Sequence, residues 1–256
     1  MTTAVRAQPM PRQQLPPISF ARLLRAEWHK TIDTRAARWL LAAAAITTIG
    51  ALLIPLLFPH NVAQSRASYV TWAGLGLTRL LPVVLILAMT AEWSQRTAMT
   101  TFTQEPRRAR VLTAKIVTGL GISLFAACFA FLAGQLTAAA ADAAGRNVAA
   151  DWNWPRLAGC AVFIVLTGTI GIAFGAWLHN TAAAIVTYFA LGAAFNLFTI
   201  PALEKVGSWV NTGQTYGWMI EGKWGGHGAQ IATSTLLWVA LPLTLGLVRT
   251  LRREVR

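Results

Sequence analysis

The chain has 256 residues, of which 55% are hydrophobic and only 12% are charged, and its formal net charge is +13. Several uninterrupted apolar runs of about 20 residues, the length that a helix needs to cross ~30 Å of hydrocarbon, exclude an ordinary soluble domain. The excess of cations does not indicate nucleic-acid binding, because the cations lie in short segments between the apolar runs and not on one solvated face.

The apolar runs predict an all-α, polytopic membrane protein with six transmembrane helices. The predicted spans are 39–58, 69–91, 116–141, 157–178, 181–201 and 229–248. Only His179 and Asn180 separate the fourth span from the fifth, but one helix through both would be about twice as long as the bilayer is thick. A tight turn is therefore expected at these two residues.

The distribution of lysine and arginine predicts the orientation of the spans. Sixteen of the 22 cations lie in segments 1–38, 92–115 and 249–256, whereas five lie in segments 59–68, 142–156 and 202–228. Cytoplasmic loops of membrane proteins carry the excess of Lys and Arg. We therefore expect both termini and the loop 92–115 to be cytoplasmic.

The segment before the first span has the pattern of an amphipathic helix. Four apolar side chains recur at four-residue spacing, while charged residues, including Glu27 and Lys30, occupy other faces; the apolar set is Phe20, Leu24, Trp28 and Ile32. Such a helix is expected to lie in the interface and contact membrane lipids. The alternative is a positively charged flank that only fixes the orientation of the first span.

The loop 92–115 has more polar and charged residues than a simple connection between spans requires. Glu92 and Arg96 are spaced for an i,i+4 ion pair, and Trp93, Met99 and Phe102 supply a modest apolar face. Further along, Pro106 disfavours a helix before it and suits the first turn of a basic helical lead-in that continues with Arg107 and Arg108. The pattern predicts an exposed cytoplasmic helix that fits a groove on another protein.

Two cytoplasmic stretches, LLRAEWHKTIDTRAARWLL and AEWSQRTAMTTFTQEPRRARVLTAK, together with six spans, resemble the small permease subunits of type-2 ATP-binding-cassette transporters of actinobacteria. The resemblance implies a connecting helix before the first span and a coupling helix in the loop 92–115 that contacts the ATPase. The loop residues that match the family pattern are Glu92, Arg96, Thr97, Pro106, Arg107, Arg108 and Lys115.

The resemblance also implies partners and a direction of transport. We expect two ATPase subunits per complex and a second permease, which is either a copy of this chain or a paralogue. Export of an amphipathic drug, peptide or lipid from a bacterial plasma membrane is favoured. Segment 202–228 is expected to form short re-entrant helices that cover the pathway, although an ordinary surface loop is the alternative.

The chain is not expected to be an enzyme or to bind a cofactor or metal itself. It has no GxxxxGK[ST] phosphate loop, so ATP and Mg are expected in the partner ATPase. The four histidines are scattered over both predicted sides. An intramembrane hydrolase with Ser123 and His179 is a distant alternative that lacks an orienting acid, and a membrane scaffold or immunity protein needs no site at all.

Arg79 is the one charge inside a predicted span, near the middle of the bilayer. An arginine at that depth is unfavourable by about 2.5–3.5 kcal/mol on insertion scales. One interpretation is a structural arginine held by backbone carbonyls and by Asn196 or Gln135. The other is a pathway residue that meets an anionic group on substrate or lipid.

Overall fold

The computed structural model describes residues 18–95, 97, 103, 107–194 and 204–252. Every named element in this part of the chain is a helix, and the one β-bridge joins Ser65 to Ala149. The helices are α1 (Phe20–Asp33), α2 (Arg35–Leu57), α3 (Arg66–Thr78), α4 (Leu81–Ser94), α5 (Arg108–Ala143), α6 (Trp154–Leu178), α7 (Thr181–Ala194), α8 (Glu204–Val210), α9 (Thr212–Ile220), α10 (Gly228–Thr235) and α11 (Leu241–Arg252), with a π-helical turn, Leu236–Ala240, between the last two.

Five helical segments of the described chain are long and apolar enough to cross a membrane, and α7 is a shorter apolar helix. The five segments are Arg35–Leu57, Arg66–Ser94, Arg108–Ala143, Trp154–Leu178 and Gly228–Arg252. The predicted all-α, polytopic membrane fold is confirmed. Of the predicted fifth span, 181–201, the structure describes the helix up to Ala194, and the remainder lies outside the described residues.

The second span differs from its prediction because it contains a break. Helix α3 ends at Thr78 and α4 begins at Leu81, with Arg79 and Leu80 in the turn between them. Pro82 explains the break, since proline has no N–H to donate to the carbonyl of Thr78, four residues earlier, and its ring clashes with that carbonyl. The predicted span over 69–91 is confirmed as part of the apolar segment Arg66–Ser94, but the break inside it was not predicted.

Helix α6 lies at the centre of the bundle and packs against α3, α4, α5, α7, α9 and α11. Its glycines allow this close approach. A Cβ at Gly171 would lie 2.5 Å from the carbonyl oxygen of Pro82, and one at Gly175 would lie 2.7 Å from the Cβ of Met89. The GxxxG pattern therefore packs α6 on α4 within one chain.

The loops cluster at two ends of the bundle, in the grouping that the sequence predicted. At one end Arg66 donates its backbone N–H to Ala149, while Trp224 donates its indole N–H to Pro155. These contacts unite the loops after the first, third and fifth predicted spans. The opposite end carries α1, the boundaries of the loop 92–115, the α6–α7 turn at His179 and the end of α11. Which end is cytoplasmic stays a prediction.

Segment 204–227 contains the two short helices α8 and α9. Helix α9 is fixed by its N-cap, because the Asn211 side chain accepts a hydrogen bond from the backbone N–H of Gly213 (2.8 Å). Helix α9 packs closely on α6, because a Cβ added to Gly159 of α6 would overlap the backbone carbonyl of Met219 of α9. Tyr216 and Met219 are buried, so this segment is part of the packed bundle and not an ordinary surface loop.

Candidate functional site

Four charged side chains form a buried network at the end of the bundle that carries α1. Lys30 Nζ lies 2.8 Å from Glu27 Oε1 and 3.0 Å from Glu92 Oε1. Lys115 Nζ lies 2.9 Å from Glu27 Oε2 and 3.4 Å from Glu92 Oε1. We call Glu27, Lys30, Glu92 and Lys115 the charged quartet. It joins three elements, since α1 supplies two of its members, α4 supplies one and α5 supplies one.

The quartet is largely shielded from solvent. The Glu27 side chain is 2% exposed, that of Glu92 is 8% exposed and that of Lys115 is 9% exposed, whereas Lys30 is half-exposed at its edge. The two positive and two negative side chains compensate each other's charge. A buried ion needs such a partner, because the loss of its hydration is unfavourable by several kcal/mol. Burial lowers the pKa of Lys30, but hydrogen bonds and the charges of Glu27 and Glu92 outweigh this effect, so its pKa is raised above 10.5.

Helix α1 reaches the quartet through a stripe that sequence analysis did not single out. Leu23, Glu27 and Thr31 are its buried residues, at four-residue spacing. Leu23 packs against Val111 and Ala114 of α5. The spacing was visible in the sequence, but a central glutamate in the stripe is compatible with burial only when a lysine 88 residues further along the chain lies opposite it.

The predicted apolar face of α1 lies beside this stripe. Phe20 and Trp28 are 39% and 37% exposed, and Leu24 and Ile32 are half-buried. Trp28 also approaches α5, since a Cβ at Gly121 would lie 3.7 Å from its ring. One side of α1 therefore contacts the bundle and the adjacent side retains exposed aromatic surface, so lipid contact by these residues stays a prediction.

The predicted coupling residues divide into three groups. Glu92 and Trp93 point into the bundle, where Glu92 belongs to the quartet and Trp93 packs against the His179 ring in a tilted arrangement, with the ring centroids 4.5 Å apart. Thr97 is exposed, Arg107 is the N-cap residue of α5 and Arg108 is its first residue. The other predicted members lie outside the described residues: Arg96, Met99, Phe102 and Pro106.

One local prediction for the loop needs correction, and another stays a prediction. Glu92 pairs with Lys30 and Lys115, whereas Arg96, its predicted i,i+4 partner, lies outside the described residues, so the pair between Glu92 and Arg96 stays a prediction. The basic lead-in is helical, but it begins at Arg108, two residues after Pro106. The lead-in also contacts the start of α1, because Arg110 donates a hydrogen bond to the backbone carbonyl of Ile18 (2.8 Å).

His179 connects further elements at the same end. Its Nε2 lies 2.8 Å from Thr250 Oγ1 of α11, and its backbone adopts a left-handed conformation (φ 51°) at the end of α6. Thr90 of α4 and Thr181 of α7 share a hydrogen bond of 2.7 Å nearby. Ser123, the other residue of the hydrolase alternative, donates to the carbonyl of Gly119 (3.0 Å), which is the structural role expected of a buried serine.

Arg79 lines a cavity of about 600 Å³ at the break in the second span. The side chain is exposed, and within the described chain no hydrogen bond or ion pair involves it. Gln135, one of its two predicted partners, instead accepts a hydrogen bond from Arg66 (3.2 Å), so that part of the prediction was wrong. Asn196, the other predicted partner, lies outside the described residues.

Comparison with known proteins does not assign the chain. No protein-family model matches it, and no curated protein matches it significantly. Function is therefore inferred from the quartet, the cavity and the helix that connects them.

Proposed function

We propose that this chain is the membrane-spanning permease subunit of an ATP-binding-cassette exporter in a bacterial plasma membrane. It would pair with a second permease, a copy or a paralogue, and with two ATPase subunits that bind ATP and Mg. The observation that carries the proposal is the charged quartet, which holds both boundaries of the loop 92–115 against α1.

A coupling loop must pass a displacement to the membrane helices. Glu92 stands at the end of α4 and Lys115 lies in the first turns of α5, and both are bound to Glu27 or Lys30 of α1. Breaking a buried ion pair is unfavourable by about 3–5 kcal/mol. A force on the loop would therefore move α1, α4 and α5 together and would not simply bend the loop.

Helix α4 extends from the quartet to the turn at Arg79, and Arg79 lines the cavity. It has 14 residues, which corresponds to about 20 Å at ~1.5 Å per residue. It begins at Leu81, two residues after Arg79, and ends at Ser94, two residues after Glu92. Close packing on Gly171 and Gly175 of α6 keeps it in place. Nucleotide-driven movement at one end of α4 would thus reach the cavity wall at the other, as coupling between distant sites requires.

In this proposal the predicted coupling residues have different roles. Glu92 and Trp93 anchor the loop, while Thr97 and the apolar side chains of Met99 and Phe102 contact the ATPase. Apolar anchors in a groove with charged residues at the rim are typical of protein interfaces. The cations of the loop fix its orientation and meet a polar or acidic groove edge.

The test is to change Met99 and Phe102 together to Asp in the tagged chain and purify it from its native membrane. We expect normal membrane insertion but loss of the co-purifying ATPase and of its transport-coupled hydrolysis. The control introduces two aspartates at the opposite end, at the exposed Ala149 and Ala150, and should retain both. If the loop variant also retains both, the loop is only an orientation signal.

A further inference from the structure

The cavity beside Arg79 has the size and composition of a small-molecule site. Its volume of about 600 Å³ falls within the ~300–1,000 Å³ typical of ligand pockets. It lies between the break in the second span, α6, α7, α9 and the π-helical turn. Aromatic side chains form much of its wall: Phe163, Phe174, Tyr188, Phe189, Tyr216 and Trp238.

One charge faces this aromatic wall. Among the described lining residues Arg79 alone carries a formal charge. The hydroxyls of Thr78 and Thr167 donate to carbonyls of their own helices, at 3.0 and 2.7 Å. Asn211 uses its side-chain oxygen to cap α9. These polar groups are occupied by the protein, whereas the guanidinium of Arg79 is exposed to the cavity.

The depth of Arg79 makes this arrangement significant. It stands at the middle of Arg66–Ser94, about 20 Å from either end at ~1.5 Å per residue. Ionisable residues at such depth are rare and usually face a cavity or a substrate pathway. The acids of the quartet lie at the end of α4 and are paired with lysines, so they do not compensate Arg79.

We propose that the cavity binds a single-chain amphiphile with one anionic head group. Arg79 receives the carboxylate, sulfate or phosphate, because a guanidinium forms charge-assisted, often bidentate hydrogen bonds with such groups. The aromatic wall receives the apolar part. That this amphiphile is the transported substrate rests on the proposed function. Its binding to the cavity does not, because binding is measured on the purified chain without any ATPase.

The experiment uses two photoactivatable probes with the same alkyl chain, one with a carboxylate head and one with a neutral hydroxyl head. The purified full-length chain in phosphatidylcholine nanodiscs is labelled over a range of probe concentrations, and the labelled peptides are identified by mass spectrometry. We expect the carboxylate probe to label α7 and α9 half-maximally at about tenfold lower concentration than the neutral probe, or lower still, as loss of a charge-assisted hydrogen bond predicts.

Two substitutions separate the charge from the space. Arg79→Gln should remove the preference for the carboxylate probe, and Arg79→Lys should keep most of it. Gly192→Leu should reduce labelling by both probes, because Gly192 lines the cavity and a Cβ built there meets no atom of the described chain within 4 Å, so the larger side chain takes up space in the site.

Matched controls exclude general effects. Lys223→Gln removes an exposed cation that pairs with Glu221 and does not line the cavity, and should leave the preference unchanged. Gly50→Leu places the same side chain at another open glycine that does not line the cavity, and should leave labelling unchanged.

Equal labelling by the two probes in the unmodified chain would overturn the proposal, whether or not an ATPase partner exists. So would a preference that survives Arg79→Gln in folded protein. Phosphatidylglycerol nanodiscs test the source of the anion. Labelling that persists in them supports a single-chain occupant, and labelling that is lost assigns the site to anionic membrane lipid and contradicts the proposal.

Discussion

At the level of single residues, the charged quartet places opposite charges against each other in a largely buried site. Glu27 is almost fully buried and has lysines on both sides, at 2.8 Å and 2.9 Å. A single substitution therefore leaves a buried charge without full compensation, which is less favourable than removing an ion pair as a unit. This asymmetry gives the quartet a testable energetic signature.

Lys115→Met should destabilise the folded chain by about 3–5 kcal/mol, because the buried Glu27 then keeps only the half-exposed Lys30 of its two lysine partners in the described chain. Thermal unfolding in detergent measures the effect. Lys223→Met is the control: its ion pair with Glu221 is 67% and 56% exposed, and its loss should change stability by less than about 1 kcal/mol. Adding Glu27→Gln to Lys115→Met should restore part of the lost stability. If the double variant loses the sum of the single effects, the two residues are not coupled.

At the level of helices, the close contact between α4 and α6 depends on glycines of α6, which have no side chain to hold the two helices apart. Gly171→Ala would place a methyl group 2.5 Å from the oxygen and 2.8 Å from the Cα of Pro82. Both atoms belong to the backbone, so the helices must separate, and overpacking of this kind is typically unfavourable by about 1–3 kcal/mol.

The measurement is again the unfolding temperature in detergent, which should fall for Gly171→Ala. Gly50→Ala is the matched control in α2, where the added Cβ meets no atom within 4 Å. There alanine should be neutral or slightly stabilising, because glycine is the weaker helix former by roughly 0.5–1 kcal/mol. Equal effects of the two substitutions would show that α4 and α6 do not pack as described.

Individual helices also show where sequence information was sufficient. Apolar runs of membrane-spanning length predicted the long helices, since each run satisfies its own backbone hydrogen bonds. The break at Arg79 was missed, although Pro82 in the apolar run signalled it. The buried position of Glu27 could not be predicted, because it depends on Lys115 from another helix. Likewise, Gln135 was one of two possible partners predicted for Arg79, whereas in the fold it accepts a hydrogen bond from Arg66.

At the scale of the whole molecule, the two ends of the bundle have different chemistry. The quartet, the basic lead-in and the His179 turn lie at one end, and the Ser65–Ala149 bridge lies at the other. The excess of cations at the first end predicts that it is cytoplasmic. The grouping of the loops at two ends follows from the order of the helices. Which end faces the cytoplasm is decided by how the chain inserts into a membrane.

Cysteine labelling in intact cells tests this orientation. A cysteine at Ser65 or Ala149 should react with an impermeant thiol reagent added from outside, and the two should behave alike because these residues are bridged. A cysteine at Thr103 should react only after the membrane is permeabilised. Outside labelling at position 103 would reverse the orientation and remove the basis for contact with a cytoplasmic ATPase.

The proposed function requires the loop between α4 and α5 to contact an ATPase. The most direct measurement places a photocrosslinking amino acid at Thr97, which is exposed, in the complete chain in its native membrane. The control carries the same amino acid at Ala149, exposed at the opposite end. We predict that Thr97 crosslinks to a polypeptide that binds and hydrolyses ATP and that Ala149 does not. Absence of such a crosslink from the loop, or an equal crosslink from both positions, would rule out the loop as the contact with an ATPase.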